Sequence, residues 1–330
     1  MKKRQLLQTG KSVSEVGLGC MSFAGFYGST TENEAHETLA AALDLGIDFL
    51  DTANVYGNGV SENIIGSFLN GDDSKFTIAT KGSIWRNPET GERGFNNKPD
   101  YLRAELEKSL TRLRLDHVAL YYIHRRDPEV EIEDVMDTML AFKAEGKIGG
   151  IGFSEISPAS LRRAVAIGPV DAVQSEYSLW TRYPDLGMIQ TCAELGVAFV
   201  PFSPLGRGIF GTHTPDPAQF SDNDFRKNTP RFSEPNFGFN VRKVEEFTAL
   251  AADLGTPSIA LAIAWCLAKG DHLIPIPGTR TAKHLAECAA GSSFKMTSEI
   301  MSEIERILPV GWAHGDRYTP AQWIGPERYC

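Results

Sequence analysis

Four side chains in this 330-residue sequence stand where apolar runs give way to polar residues, and their chemistry is complementary. Asp51 and Tyr56 lie in Asp51-Thr52-Ala53-Asn54-Val55-Tyr56-Gly57, Lys81 in Ala79-Thr80-Lys81-Gly82, and His124 in Tyr121-Tyr122-Ile123-His124. An unperturbed phenol titrates at about pH 10 and is a poor acid at neutrality. An ammonium beside it favours the phenolate and lowers that value. A carboxylate keeps the ammonium charged and oriented. A neutral imidazole hydrogen-bonds the oxygen to be protonated and fixes its position. The chemistry implied is that of a carbonyl group, with a proton delivered to oxygen while hydride arrives at carbon.

The elements that must position these residues alternate between short β-rich runs and helical patterns. Helices are expected over 32–45, 99–113, 132–145, 186–195, 258–269 and 281–290, with another opening at Ser157-Pro158. Pro99 suits a first helical turn, and Leu102, Leu106, Leu110 and Leu113 follow the helical repeat. Gly146 and Gly196 read as helix stops. Strands are expected near 16, 49, 76, 118, 148, 172, 197 and 272, which makes eight βα units and no linker between them. That pattern predicts a parallel sheet closed into one α/β domain, a (β/α)8 TIM barrel. Functional groups in such a barrel gather where strands end, which is where the four residues fall. Two segments stand outside the repeat: 206–240, rich in Gly, Pro, Asn and Phe, reads as a lid-like loop, and 310–330 as a tail that folds back over the barrel.

Composition narrows the function further. A formal charge of −9 argues against a general nucleic-acid binder, which needs a basic face. The longest apolar stretches, such as 259–267, are far shorter than a bilayer span, and no signal-peptide core follows Met1-Lys2-Lys3-Arg4. The five cysteines, Cys20, Cys192, Cys266, Cys288 and Cys330, are scattered and odd in number, so neither a disulfide framework nor a redox pair is expected. The seven histidines show no metal-binding spacing, so no metal site is expected. The expectation is a reduced, cytoplasmic protein, a monomer or small homo-oligomer.

The sequence resembles the aldo-keto reductase superfamily over nearly its whole length. The segments that carry the likeness, in order, are 48–57, Ala79–Gly82, Tyr122–His124, Gly146–Ile148 with Gly152–Ser154, 202–206 and 276–280. Gly17–Met21 and the Ser154-Glu155 pair are most like its perakine-reductase and YakC-like branch. The resemblance implies NADPH bound extended, without a Rossmann turn, and Asp51, Tyr56, Lys81 and His124 as a catalytic tetrad. It implies cofactor contacts from Gly19, Cys20 and Met21 at the first strand end. Ser154, Glu155 and Gln174 would hold the nicotinamide carboxamide. Phe202 would stack on the ring, and Ser203, Leu205 and Arg207 would lie along the pyrophosphate. Gly278, Thr279 and Arg280, ahead of a helix, would take the 2′-phosphate with His284 and Lys283 adding charge, and Glu287 would meet adenine. Cys288 replaces the family's usual Asn.

The substrate implied is a small carbonyl compound. The aromatic residues Trp85, Phe95, Phe210, Phe225, Phe232, Phe237 and Phe239 in the mouth loops suit a hydrophobic or ringed one or merely anchor long loops. No convergent set of cations is evident for a phosphorylated substrate; Arg125 and Arg126 could attract anionic groups, but surface salt bridging is the reading preferred for them. Two other readings stand beside the reductase. One is an NADPH-binding regulatory or auxiliary subunit of the same fold with vestigial activity. The other is a metal-dependent barrel hydrolase.

Overall fold

The computed structural model describes residues 1–330 except 88, 91, 223 and 330. Cys330, counted among the scattered cysteines, lies outside the described residues. The chain opens with an antiparallel hairpin, β1 (Lys3–Gln5) and β2 (Ser12–Ser14). Then β3 (Leu18–Gly19), α1 (Glu32–Asp44), β4 (Phe49–Asp51), α2 (Val60–Leu69) and β5 (Thr77–Gly82) begin the βα repeat. A second hairpin, β6 (Ile84–Arg86) and β7 (Arg93–Phe95), interrupts it before α3 (Pro99–Leu113). The repeat resumes with β8 (Val118–Ile123), α4 (Ile132–Ala144), β9 (Ile148–Ser154), α5 (Pro158–Ile167), β10 (Ala172–Glu176), α6 (Met188–Leu195) and β11 (Ala198–Phe202). Four helices finish it: α7 (Asn236–Asp253), α8 (Ser258–Ala268), α9 (Ala282–Ala290) and α10 (Ser298–Ile307).

Local chemistry accounts for several ends. Thr31 caps α1 in a reciprocal capping box with Glu34, and Ser157 caps α5 ahead of Pro158. The chain after α4 turns through Gly146 at φ 76°, a conformation that favours glycine. The expected helix bounds hold to within about two residues, the usual scatter at frayed ends.

Seven strands pair in parallel in the order β3-β4-β5-β8-β9-β10-β11. The expected eighth strand is present only as bridges. Leu273 and Ile276 meet Phe199 and Phe202 on one side, and Gly278 meets Gly19 on the other. The reason is in the sequence: Pro275 and Pro277 have no N–H, so the segment cannot carry a continuous ladder. Its remaining groups still close the cylinder, with Ile274 N donating to Phe199 O at 2.9 Å and Gly17 N to Pro275 O at 2.9 Å. The result is the expected (β/α)8 barrel.

The barrel interior is filled by Phe49, Ala79, Leu120, Tyr122, Val200 and Ile274 among others, and the first hairpin plugs one end with Leu6, Leu7 and Val13. Burying an aliphatic side chain of that size gains on the order of 2 kcal/mol. A larger apolar layer lies between the strands and the helices. Among the described residues no single helix is long and apolar enough to cross a membrane.

The 206–240 segment holds short 3-10 turns and is irregular until α7 begins at Asn236. Phe210, Phe232 and Phe237 from this segment are buried in the main apolar layer, so they anchor the loop rather than face a substrate. The tail runs back over the C-terminal ends of β9 and β10. There Trp312 Nε1 donates to Leu179 O at 2.7 Å and Glu327 N to Glu155 O at 2.8 Å.

Candidate active site

Parallel register brings the four chemical residues to one end of the barrel. Asp51 closes β4, Lys81 lies in β5 beside Tyr122 of β8, and His124 follows β8 directly. Tyr56 comes from the turn after β4, where Tyr56 N donates to Ala53 O at 3.2 Å. Lys81 is fully buried and donates to Asp51 Oδ1, to Thr52 O at 2.8 Å and to Tyr56 OH at 3.4 Å. The second Asp51 oxygen accepts from Gln174 Nε2 at 2.8 Å. The Tyr56 and His124 rings meet edge to face at 5.8 Å. Beneath them Thr52 Oγ1 donates to Ser61 Oγ and Ser61 Oγ to Cys20 O, both at 2.9 Å, which ties the β4 turn to α2 and β3.

The charge states follow from competition between burial and neighbours. Burial would strip the Lys81 proton, but Asp51 and Tyr56 outweigh it and hold the ammonium above its usual range. Asp51 itself is pushed up by burial, with Lys81 and Gln174 pulling it back. Tyr56 is also pushed up by burial, and the Lys81 ammonium only partly offsets this. The pull of Lys81 expected from the residue types is present, but desolvation is larger, so the phenol stays protonated here. His124 is held well below its usual value by burial and then by Arg125 and Lys81, so its imidazole is neutral. Its Nδ1 is buried without a hydrogen-bond partner. A protonated phenol beside a buried ammonium and a neutral imidazole can bind an oxygen and hand it a proton.

Residues 15–309 match the family model of the Aldo/keto reductase family. The chain belongs to that family. It is similar to the aldo-keto reductase yakc [NADP(+)] of Schizosaccharomyces pombe, 37% identical over 314 residues that cover 94% of this chain and 92% of that one. It is equally similar to a probable aldo-keto reductase 1 of Glycine max, 37% identical over 316 residues that cover 94% of this chain and 89% of that one. Among solved structures, the glycerol dehydrogenase AKR11B4 of Gluconobacter oxydans superposes with a TM-score of 0.85 at 26% identity, covering 96% of this chain and 98% of that one. Aldo-keto reductases generally reduce carbonyl groups with NAD(P)H.

The other residues singled out for this reductase lie around the same end. Gly19 packs so closely on the closing segment that a Cβ would fall 2.9 Å from Ile276 O. Cys20 is buried, its thiol pushed up by burial, and it presents only backbone, with N donating to Asp51 O at 2.8 Å. Met21 begins a half-buried 3-10 turn. Ser154 Oγ accepts from an Arg125 nitrogen at 3.0 Å. Phe202 and Ser203 are half-buried at the end of β11, with Leu205 after them. Thr279 Oγ1 accepts from Thr281 N at 3.2 Å, and Arg280 donates to Ser29 O at 2.9 Å. His284 is exposed on α9, and Glu287 accepts from Thr212 at 3.1 Å.

Two side chains point elsewhere than expected. The Glu155 carboxylate takes both terminal nitrogens of Arg317, at 2.9 and 2.6 Å, and Glu176 N at 2.8 Å. That carboxylate is thus committed to the tail and to β10 rather than presented for a carboxamide. The Arg207 guanidinium is likewise turned inward, donating to Glu176 at 2.8 Å and Arg317 O at 2.7 Å. Only its backbone is left to line the loop. Cys288, in place of the family's usual Asn, is buried in an apolar cluster with Val16, Ile259, Ile263 and Leu267. Glu176 and Arg317 were not singled out from sequence. Glu176 was legible as a strand-end carboxylate in Gln174-Ser175-Glu176, whereas Arg317 meets Glu155 across 162 residues and left no local signal.

Proposed function

We propose that this chain reduces an aldehyde or ketone to the alcohol with NADPH, reversibly, with Tyr56 as general acid in reduction and general base in oxidation. NADPH, when bound, supplies the hydride. The observation that carries the reading is the buried Asp51–Lys81–Tyr56 chain beside a neutral His124. His124 positions the carbonyl oxygen and Tyr56 gives it the proton, while Lys81 stabilises the phenolate left behind and Asp51 holds Lys81 in place. In oxidation the phenolate takes the alcohol proton back.

The donor set supports NADPH as the partner. Gly19 and Gly278 leave bare backbone where they touch, and Gln174 and Ser154 stand side by side on neighbouring strands, where they would hold the nicotinamide carboxamide. At the other end Arg280 and the exposed Lys283 and His284 stand at the start of α9, where helix N–H groups favour a phosphate. The four described cysteines are buried and unpaired, which supports a reducing, cytoplasmic setting. The test is a panel of carbonyl compounds and alcohols followed at the nicotinamide absorbance with NADPH and NADH. NADPH-linked turnover of at least one carbonyl class is expected; no turnover with either cofactor would overturn the reading.

A further inference from the structure

The cationic groups at the barrel mouth do not cancel. Lys81 is matched by Asp51, and Arg317 and Arg207 by Glu155 and Glu176. Arg126 pairs with Glu327 at 3.5 Å, and Arg226 with Asp224 at 2.7 Å. Of the arginines left without a counter-charge, Arg231 donates to Thr181 Oγ1 at 2.7 Å and Arg280 to Ser29 O at 2.9 Å, and three others are tied together by one hairpin. Arg125, the residue after His124, donates only to neutral oxygens, His124 O at 2.6 Å and Ser154 Oγ at 3.0 Å. Arg86 and Arg93 stand opposite one another across the β6–β7 hairpin, and among the described residues neither makes an ion pair or a side-chain hydrogen bond.

This hairpin is not free to carry its charges away. Ser83 Oγ donates to Arg125 O and accepts from Arg125 N, both at 2.9 Å. Asn97 Nδ2 donates to the same carbonyl at 3.1 Å, and Asn96 N closes back on Ser83 O at 2.8 Å. Both feet of the hairpin are thus bolted to the backbone of Arg125. On the far side the tail closes the wall, for a Cβ on Gly325 would fall 2.6 Å from the Phe95 ring. Tyr318 and Trp323 meet edge to face at 5.5 Å in that tail. Arg93 is held below its usual range by partial burial and by the Arg125 and Arg86 guanidiniums. The same two residues, Arg125 and Arg93, act on the His124 imidazole. Arg86 and Arg93 are exposed at the mouth, where an arriving anion meets them, and the hairpin's ties to Arg125 keep all three guanidiniums together without a counter-charge.

We propose that Arg125, Arg93 and Arg86 form an anion subsite beside Tyr56 and His124, and that the substrate is an aldehyde or ketone bearing a carboxylate or phosphate a few atoms from the reacting carbon. This rests on the carbonyl-reduction reading. The guanidiniums hold the anionic end by charge-assisted hydrogen bonds and leave the carbonyl end at the phenol. Arg125, for which the sequence favours surface salt bridging over attraction of anionic groups, makes no ion pair and acts as a specificity residue, and the convergent cations that the sequence did not reveal are assembled by the hairpin.

The experiment compares kcat/KM with NADPH for a four-carbon aldehyde ending in a carboxylate, its methyl ester, and a three-carbon aldehyde phosphate. It uses the wild type, Arg93→Gln and Arg125→Gln. The anionic compounds are expected to exceed the ester by about tenfold or more, with the ratio falling toward one in both variants. Which anion leads tells carboxylate from phosphate. Equal rates for ester and anions in the wild type, or a preference that survives both substitutions, would overturn the subsite and leave carbonyl reduction standing. No reduction of any of the three would count against carbonyl reduction itself. The subsite is then decided by calorimetric titration of the NADP+-saturated protein with succinate and with inorganic phosphate. Binding lost in Arg93→Gln supports it, and no binding by the wild type ends it.

Discussion

Replacing Tyr56 with Phe removes one hydroxyl and leaves the ring that packs on His124 at 5.8 Å. Carbonyl reduction by Tyr56→Phe is expected to fall by about two to four orders of magnitude, the usual worth of a positioned acid, while NADPH affinity by fluorescence titration is unchanged. Turnover near that of the wild type would remove Tyr56 from the acid role. The same residue sets a pH signature. Burial keeps the phenol protonated above its ordinary range and keeps His124 neutral, so neither group titrates near neutrality. The kcat/KM for reduction is therefore expected to stay flat between about pH 6.5 and 10, the span between the two unperturbed values. A break inside that span would show that another group controls the proton. At this scale the sequence was most informative about position and least about strength. Asp51, Tyr56, Lys81 and His124 each sit in a local motif at a strand end, but whether Lys81 or burial governs the phenol depends on how deep the barrel places them.

Strand and helix ends set two further expectations. Arg280 precedes α9 beside the exposed Lys283 and His284 and is held to the 29 loop by Ser29 O at 2.9 Å. Arg280→Ala is expected to raise the Kd of NADPH by tenfold or more with little change for NADH, because the two differ by the phosphate that a guanidinium holds. An equal loss for both cofactors would remove that assignment. The tail depends on Arg317, whose guanidinium stacks over Tyr318 and Trp323, each at 4.7 Å, while it binds Glu155. Arg317→Ala leaves a buried carboxylate without its partner and is expected to cost about 3–5 kcal/mol in urea unfolding. Arg317→Met with Glu155→Gln should recover a good part, because no bare charge then remains. The repeating elements were legible because apolar periodicity and stop signals such as Gly146 are local. The eighth strand was legible as a segment but not as bridges, since Pro275 and Pro277 matter only once their neighbours are known. α7 was hidden by treating everything to residue 240 as loop, although Val244, Phe247 and Ala251 already keep a helical spacing.

The molecule as a whole should lose stability in acid by two steps. His124 has a folded pKa well below its unfolded value, so the unfolded chain binds its proton first and stability declines as pH falls below about 6.5. Glu155 and Glu176 are held below the usual carboxylate range; burial alone would raise them, but the Arg317 and Arg207 guanidiniums prevail. Their contribution is present above about pH 4.3 and is lost as pH falls through their lowered values. Asp51, shifted upward, works in the opposite sense and blunts the second step. Chemical denaturation midpoints measured across this range should show both declines, and constant midpoints down to about pH 4.3 would contradict the buried neutral His124. The barrel class was visible from eight alternating units, whereas the long-range ties that finish it, such as Glu155 to Arg317, were not. One such tie orders events during synthesis. The opening hairpin closes the barrel floor, and Arg4 in β1 donates to Gly270 O at 2.6 Å, Leu273 O at 2.7 Å and Leu267 O at 3.0 Å. The opening hairpin therefore waits for the 267–273 segment to be made before it finds these partners, with Leu6, Leu7 and Val13 uncovered meanwhile. A chain that keeps Leu6, Leu7 and Val13 uncovered for that interval is expected to engage factors that shield apolar segments.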